Sequence, residues 1–547
     1  MPSLKDQIEY ELERRSCCIR RVDIYRSYSP YQRQMILISG AMVAMLTPFC
    51  DTVYLPALQD VTTSLNTTDV LTSITVSAYL GAVGIGQLLW GPLSDYYGRN
   101  PVLYGCLFTF EAFTIGCIFA NSIASLIILR TIEGFIVGCC ITSVQAVISD
   151  VFAPEVRGAA LSYFLGPMLI GPIIAPLVGG ILAEEFSWRA DFVLLAVMAL
   201  PITLFTFIFT PETHHWYVVK HRSAQILQSA SEFKSSKSSG IGSPDKATSS
   251  LTEASYSGNN SDSAVKELED ESAILAIESG EIKKIDNSDF IPNESSLVRE
   301  INRDDGSPSD MNSVDERGLQ GDTMGSDINT PVMMMPWTVA AFLFDIELAA
   351  YYATVGLTFA CMFTSLTLLP IFLAKPPYGL PPGIVGVTFL PIGVAMLLGA
   401  LAGGALSDWS GATYSRSPHG IMIFTLLISC LSTLGTVGFG FTLHNGMPLS
   451  AVLITQSVLG FGQAVIMPST LSFLSSVRPD RAGAAGSTMM FLCFILAAVS
   501  ISISTIVADL IGVGYYFLAL GAFSAASSVI ALCVCMRELQ VSECRTI

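Results

Sequence analysis

Apolar residues recur in blocks of about twenty, set apart by short polar loops, along nearly the whole chain. The blocks fall near residues 35–57, 71–93, 101–120, 124–147, 159–182 and 190–210. After a long polar interval they resume near 349–373, 383–406, 420–442, 450–474, 484–508 and 512–536. About twenty apolar residues in helical conformation cross the hydrocarbon of a bilayer, so the pattern predicts six membrane-spanning helices, a gap, and six more. The expected organisation is a tail over 1–33, a six-helix bundle over 34–210, a central loop over 211–335, a second six-helix bundle over 336–536 and a tail over 537–547. Residues 336–348 are expected to form a lateral amphipathic helix ahead of the seventh span.

Composition agrees with a polytopic membrane protein. Of 547 residues 51% are hydrophobic and only 13% charged, about half the charged fraction of soluble domains. The formal net charge of −17 is concentrated in one place, since residues 211–335 hold 22 acids and 11 bases. This interval is rich in Ser, Asp, Glu, Asn and Gly and has no apolar stretch long enough to build a core, so it reads as a disordered acidic loop. Kinases are candidate modifiers of it, and a tolerated linker is the alternative.

The bases also set an orientation. Seven precede the first span, and outside the central loop the tails and even-numbered loops carry fourteen against two on the opposite side. By the positive-inside rule both ends are expected in the cytosol. The first thirty residues are polar and basic and do not read as a cleavable signal peptide. The thirteen cysteines are scattered without a CxxC pair, so no metal site is expected. Cys17 and Cys18 are weak palmitoylation candidates.

The two halves repeat a loop. Gly91-Pro92-Leu93-Ser94-Asp95-Tyr96-Tyr97-Gly98-Arg99 follows the second span, and Gly404-Ala405-Leu406-Ser407-Asp408-Trp409 follows the eighth. Small residues let helix ends approach, Asp95 is placed to accept from helix N-terminal amides, and Arg99 supplies a balancing charge. A six-plus-six chain with such related halves resembles the major facilitator superfamily. That resemblance implies an all-α membrane protein of 12 helices in two bundles around a central site, and a latch at Gly91, Asp95, Gly98, Arg99 and Asp408 that holds one access state. The second copy lacks a clear Gly-Arg ending, which weakens its latch role.

Further segments narrow the resemblance. Leu126 to Gly134 resembles an LxxxRxxxG motif, which implies that Arg130 modulates the protonation of a nearby acid, and Glu133 on the same helix face is its candidate partner. Gly171-Pro172-Ile173-Ile174-Ala175-Pro176-Leu177-Val178-Gly179-Gly180 resembles the antiporter motif of proton-coupled exporters, with Ala175 in place of a glycine. Its prolines bend a helix and its glycines admit a close neighbour. Trp188-Arg189-Ala190-Asp191-Phe192 and Pro211-Glu212-Thr213 resemble the WRxxF and PET signatures of the twelve-span drug:proton antiporter group, especially its fungal-type multidrug and polyamine exporters. Asp150, with Arg157-Gly158, fits that group's loop between spans four and five.

Proton coupling needs a titratable group in a low-dielectric cavity. The acids inside spans are Asp51, Glu111 and Glu133, with Asp51 the first choice for proton or cation binding. Asp345, Glu347 and Asp509 stand at span ends and are expected to be exposed. Tyr79, Gln87, Gln145, Gln456 and Gln463 are candidates for the wall of the substrate cavity. Neither a GxxxxGK[ST] phosphate loop nor a catalytic constellation is present, so no enzyme activity, catalytic residue or cofactor is expected. The reading is a monomeric, proton-driven exporter of small organic molecules in the plasma membrane or, second, an internal one. Its partners are the lipid bilayer, protons and a small-molecule substrate, with no nucleic acid. Two alternatives remain open: a nutrient, polyamine or organic-acid importer or facilitator, and a sensor or scaffold signalling through the acidic loop.

Overall fold

Helix starts follow local capping chemistry. The Ser29 hydroxyl accepts from the Gln32 amide at 3.2 Å while Gln32 Oε1 accepts from the Ser29 amide at 3.0 Å, and Pro30 occupies the first helical position. Ser122 and Ser125 repeat the reciprocal cap, and Thr68 caps the helix that follows it. A computed structural model of the protein describes residues 28–152, 154–213, 345–413, 419, 422–477 and 482–545. The expectations for the acidic central loop, for most of the N-terminal tail and for the lateral helix up to residue 344 lie outside the described residues.

The helices are α1 Pro30–Thr52, α2 Leu58–Ser64, α3 Asp69–Tyr97, α4 Arg99–Ile118, α5 Ile123–Val151, α6 Pro154–Glu185 and α7 Arg189–Phe209, then α8 Ile346–Leu373, α9 Pro382–Val387, α10 Phe389–Thr413, α11 Met422–His444, α12 Leu449–Val477, α13 Ala482–Ile511 and α14 Val513–Arg545. Among the described residues they make 12 stretches long and apolar enough to cross a membrane. Two spans are interrupted. The first passes from α1 through a short 3-10 turn over Leu55–Ala57 into α2, where Pro56 interrupts the hydrogen-bond ladder. The eighth begins as α9 and continues as α10.

In the first bundle α3 packs along α5, α4 along α5 and α7, and α1 against α5, α6 and α7. In the second, α12 packs along α10 and α11, α11 along α14, and α8 against α13 and α14. Two seams join the bundles: α3 lies on α13, and α6 lies on α9 and α10. The outward faces are apolar, with Phe207, Leu434 and Leu510 more than half exposed. Such a girdle is stable in lipid and would be costly in water. The helix of the last span does not stop near residue 536 as its hydropathy suggests. It runs on to Arg545, because Arg537, Glu538, Leu539 and Gln540 keep high helix propensity after the apolar pattern ends.

Candidate functional site

Arg130 lies in the first third of α5, within the fourth span, with no solvent exposure, so its charge must be met by the protein; Nε alone of its nitrogens has no hydrogen-bond partner among the described residues. Its Nη1 donates to Glu133 Oε2 at 2.8 Å and to Cys50 Sγ at 3.2 Å, and its Nη2 donates to the Cys50 carbonyl at 3.1 Å. The guanidinium also lies over the ring of Tyr79 at 3.9 Å and over that of Tyr54 at 4.7 Å, an arrangement that stabilises a desolvated cation. Glu133 is completed by Thr114, whose hydroxyl donates to Oε1 at 2.6 Å. Four helices, α1, α3, α4 and α5, and the bend after α1 therefore converge on one ion pair.

Gly134 explains how the two helices get this close. A Cβ there would collide with the backbone carbonyl of Tyr79, so only glycine lets α5 press on α3 at the level where the Tyr79 ring meets Arg130. The motif's arginine and glycine thus serve one contact.

Asp51 sits beside this cluster at the end of α1, 6% exposed. Arg130 grips the main chain and thiol of Cys50 and leaves the neighbouring carboxylate ungripped. Oδ1 of Asp51 is buried and accepts no hydrogen bond among the described residues. The Tyr79 hydroxyl approaches Asp51 without closing a hydrogen bond of ordinary geometry, and Arg130 and Glu133 act on it through space. Glu111 lies apart from the cluster, half-buried on α4.

The loop after α3 is organised differently from the sequence expectation. Asp95 pairs with Arg99 Nη1 at 2.5 Å, and Arg99 Nε also donates to Asp150 Oδ2 at 3.1 Å. Glu212, rather than Asp95, takes the N-terminal amides of α4: it accepts from Arg99 N at 3.1 Å and from Asn100 N at 3.3 Å. Gly98 turns the chain with φ of +101° and leaves room for that carboxylate, since a Cβ would lie 2.8 Å from Glu212 Oε2. The Pro-Glu-Thr segment is thus the cap of the third span. Gly91 and Gly404 face open space, with nothing within 4 Å of an added Cβ, so neither provides a close approach here. The side chains of Asp408, Arg157 and Glu347 lie outside the described residues, and Asp509 is exposed as expected.

The glycines of the fifth span are used as their pattern implies. Gly171 meets Pro48 of α1, with 2.7 Å from an added Cβ to the ring, Gly179 abuts the Val53 carbonyl, and Gly180 lies against Pro382 and Gly386 of the second bundle. A Cβ added at Gly386 would collide with the Pro176 carbonyl oxygen, and Pro172 lies within α6 without ending it. Of the wall candidates, Tyr79, Gln87, Gln456 and Gln463 are buried and Gln145 is exposed. Both amide atoms of Gln456 and the Nε2 atoms of Gln87 and Gln463 are buried without a hydrogen-bond partner among the described residues, so each keeps capacity for a ligand or a water.

One buried carboxylate escaped the sequence reading. Asp191 at the start of α7 is 0% exposed and neither of its oxygens has a hydrogen-bond partner among the described residues. It appears in the sequence only within the Trp188-to-Phe192 segment, and its position in the first turn of an apolar run carries no signal of burial. Polar contacts also tie the bundles together at the end that carries residues 65–68 and 374–381. Lys375 pairs with Asp69, Glu184 Oε2 accepts from Gly383 N at 2.9 Å, and Ser502 donates to Ser77 at 2.9 Å.

The comparisons with known proteins agree with this architecture. The "MFS antiporter QDR3" of Candida albicans is 24% identical over 93% of this chain and 78% of its own length. The "Quinidine resistance protein 3" of Saccharomyces cerevisiae is 22% identical over 90% of this chain and 80% of its own length. Among solved structures, a partially occluded inward-open form of the xylose transporter XylE from E. coli superposes with a TM-score of 0.56 at 13% identity, covering 91% of this chain and 97% of that one, which bears on the fold alone. The family model described as "Major Facilitator Superfamily" matches residues 40–501. With its paired six-helix bundles, the protein is a multi-pass membrane transporter that belongs to the major facilitator superfamily.

Proposed function

We propose that this transporter exports small organic molecules in exchange for protons, with Asp51 as the coupling carboxylate. The observation that carries the reading is the division of labour at residues 50 and 51. Arg130 holds Cys50 by two hydrogen bonds, while Oδ1 of Asp51 is buried with no donor. A carboxylate so placed responds strongly to protonation or to a bound cation, because its buried Oδ1 has no donor among the described residues. Arg130 and Glu133 are positioning residues that set the field at Asp51. Tyr79, stacked on Arg130, connects the two.

Export rather than import is supported by relatives named as an antiporter and for quinidine resistance, together with the glycine and proline pattern of α6. The apolar surroundings and the spare amides of Gln87, Gln456 and Gln463 suit amphiphilic drugs or organic cations. The excess of bases on the tails and even-numbered loops supports cytosolic termini and, with them, a tied end of the bundles facing outside; the plasma membrane is the first location in this reading.

The test is counterflow in proteoliposomes of purified protein under an imposed pH gradient, using cationic drugs, polyamines and organic acids. Gradient-stimulated substrate flux with opposite proton movement is expected. Asp51→Asn should abolish that coupling at unchanged insertion and folding. Flux indifferent to the gradient would point to a facilitator, and normal coupling in the variant would remove Asp51 from the mechanism.

A further inference from the structure

The opposite end of α7 from the Arg99 network carries chemistry that the Arg130 cluster does not use. Asp191 has no solvent exposure and both of its oxygens lack a hydrogen-bond donor among the described residues. The cation two residues earlier is turned elsewhere. Arg189 donates through Nε to the Ile118 carbonyl at 3.2 Å and through Nη2 to the Ala120 carbonyl at 2.8 Å, and its guanidinium lies over Trp188 at 4.3 Å. It therefore caps the C-terminus of α4 and leaves the acid unpaired. The indole N–H of Trp188, a residue 1% exposed, also has no acceptor among the described residues.

The charged group that acts on Asp191 is another acid, Asp60 of α2. The Arg130 guanidinium, 5.7 Å from the ring of the adjacent Phe192, is taken by Glu133 and Cys50, and other ionisable groups of the elements packed against α7 are engaged or exposed. Glu184 accepts from Gly383 N, Glu185 is exposed, the Tyr54 hydroxyl pairs with Thr75 at 2.8 Å, Cys117 faces Glu133, and Asp51 lies in the field of Arg130 and Glu133. A carboxylate buried with no donor among the described residues has an unmet need for a proton or another hydrogen-bond partner. Asp60 itself is half-buried, with part of its surface open.

We propose that Asp191 is a second proton-binding site, at the loop end of the first bundle, with Asp60 as its connection to the aqueous phase on that side. It is distinct from Asp51. Only its service in transport rests on the proton-coupled reading above, and the site itself does not. In that role Asp191 exchanges protons with the compartment facing the tied end of the bundles while the substrate path there is closed.

The experiment is infrared spectroscopy of the full chain in phosphatidylcholine nanodiscs across a pH series. A carbonyl band of a protonated carboxylic acid is expected near neutral pH, lost in Asp191→Asn and retained in Asp51→Asn. In Asp60→Asn its disappearance on raising the pH should shift to lower pH, because the neighbouring negative charge is gone. If Asp191→Asn fails to fold, labelling of the wild-type protein with dicyclohexylcarbodiimide, read by mass spectrometry, substitutes for it. Asp191 should then be modified at neutral pH and protected as the pH rises. A spectrum unchanged by Asp191→Asn, no labelling of Asp191, or a band that never titrates would overturn the site. If the band behaves as expected while Asp191→Asn leaves the pH dependence of proteoliposome exchange unchanged, the proton site stands and its role in transport falls. Normal exchange in Asp51→Asn would count against the coupling reading alone.

Discussion

A guanidinium without solvent exposure is kept inside a membrane-spanning helix by what surrounds it. Arg130 has Glu133 at 2.8 Å, the Cys50 carbonyl at 3.1 Å and the Tyr79 ring at 3.9 Å. Removing one partner of a buried pair strands the other and typically costs about 3–5 kcal/mol, whereas replacing both with apolar residues is often neutral. Arg130→Ala should therefore lower the melting temperature of the solubilised protein sharply, with Glu133 left unpaired. Arg130→Met combined with Glu133→Leu should recover most of that stability and still transport nothing, which thermal unfolding and flux assays on the same preparations would separate. A double variant as unstable as the single one would mean that the surrounding hydrogen bonds, rather than the pair, hold the helices. The pairing was legible in the sequence, because residues three apart share a helix face. The grip on Cys50 and the stack on Tyr79 were not, because they depend on the register of α1 and α3 against α5, which hydropathy does not encode. Asp191 was missed for a related reason: an acid in a helix's first turn normally finds water or an N-terminal amide, and only the diversion of Arg189 and the packing around α7 leave it alone.

At the level of elements, the spans were legible because twenty-residue apolar blocks have few other uses. The break after α1 and the continuation of α14 beyond the membrane pattern were not, since one follows from a proline and the other from helix propensity after hydropathy has ended. The glycines show how one residue type divides by context. Gly179 abuts the Val53 carbonyl, whereas Gly91 has nothing within 4 Å of an added Cβ. Gly179→Ala should overpack the contact between α6 and the first span and cost about 1–3 kcal/mol. Gly91→Ala should be neutral or gain up to about 1 kcal/mol, because alanine loses less entropy in a helix. Melting temperatures of the two variants test the contrast. Stable Gly91→Ala that no longer transports would place the close approach of Gly91 in another access state. Glu212 gives a second element-level prediction. Its carboxylate accepts from the amides of Arg99 and Asn100, so Glu212→Ala should cost about 1 kcal/mol through loss of the α4 cap and raise amide exchange at the start of α4.

For the whole molecule, what matters is how the two bundles are held at one end and released. Lys375 and Asp69 are 306 residues apart in the chain, yet their ion pair crosses from one bundle to the other beside the bond from Gly383 N to Glu184. Gly180 packs on Gly386 in the same seam. The apolar and glycine contacts carry most of the closure, because an ion pair that keeps part of its exposure contributes only about 0.2–1 kcal/mol. That small term is nonetheless suited to a switch. An alternating-access protein needs its two states nearly balanced, and 1 kcal/mol changes an open-to-closed ratio about five-fold. Lys375→Ala should therefore leave folding intact and raise amide exchange across residues 64–69 and 374–383 by up to about five-fold. The swap of Asp69→Lys with Lys375→Asp should restore protection, and raised salt should weaken the wild-type contact toward the single variant through screening. Restored protection in the swap requires the pair itself, since neither substitution alone returns the attraction. If the swap behaves like the single variant, the tie at this end is carried by Glu184, Gly383 and the packed glycines, and the balance between access states is set by shape rather than by charge.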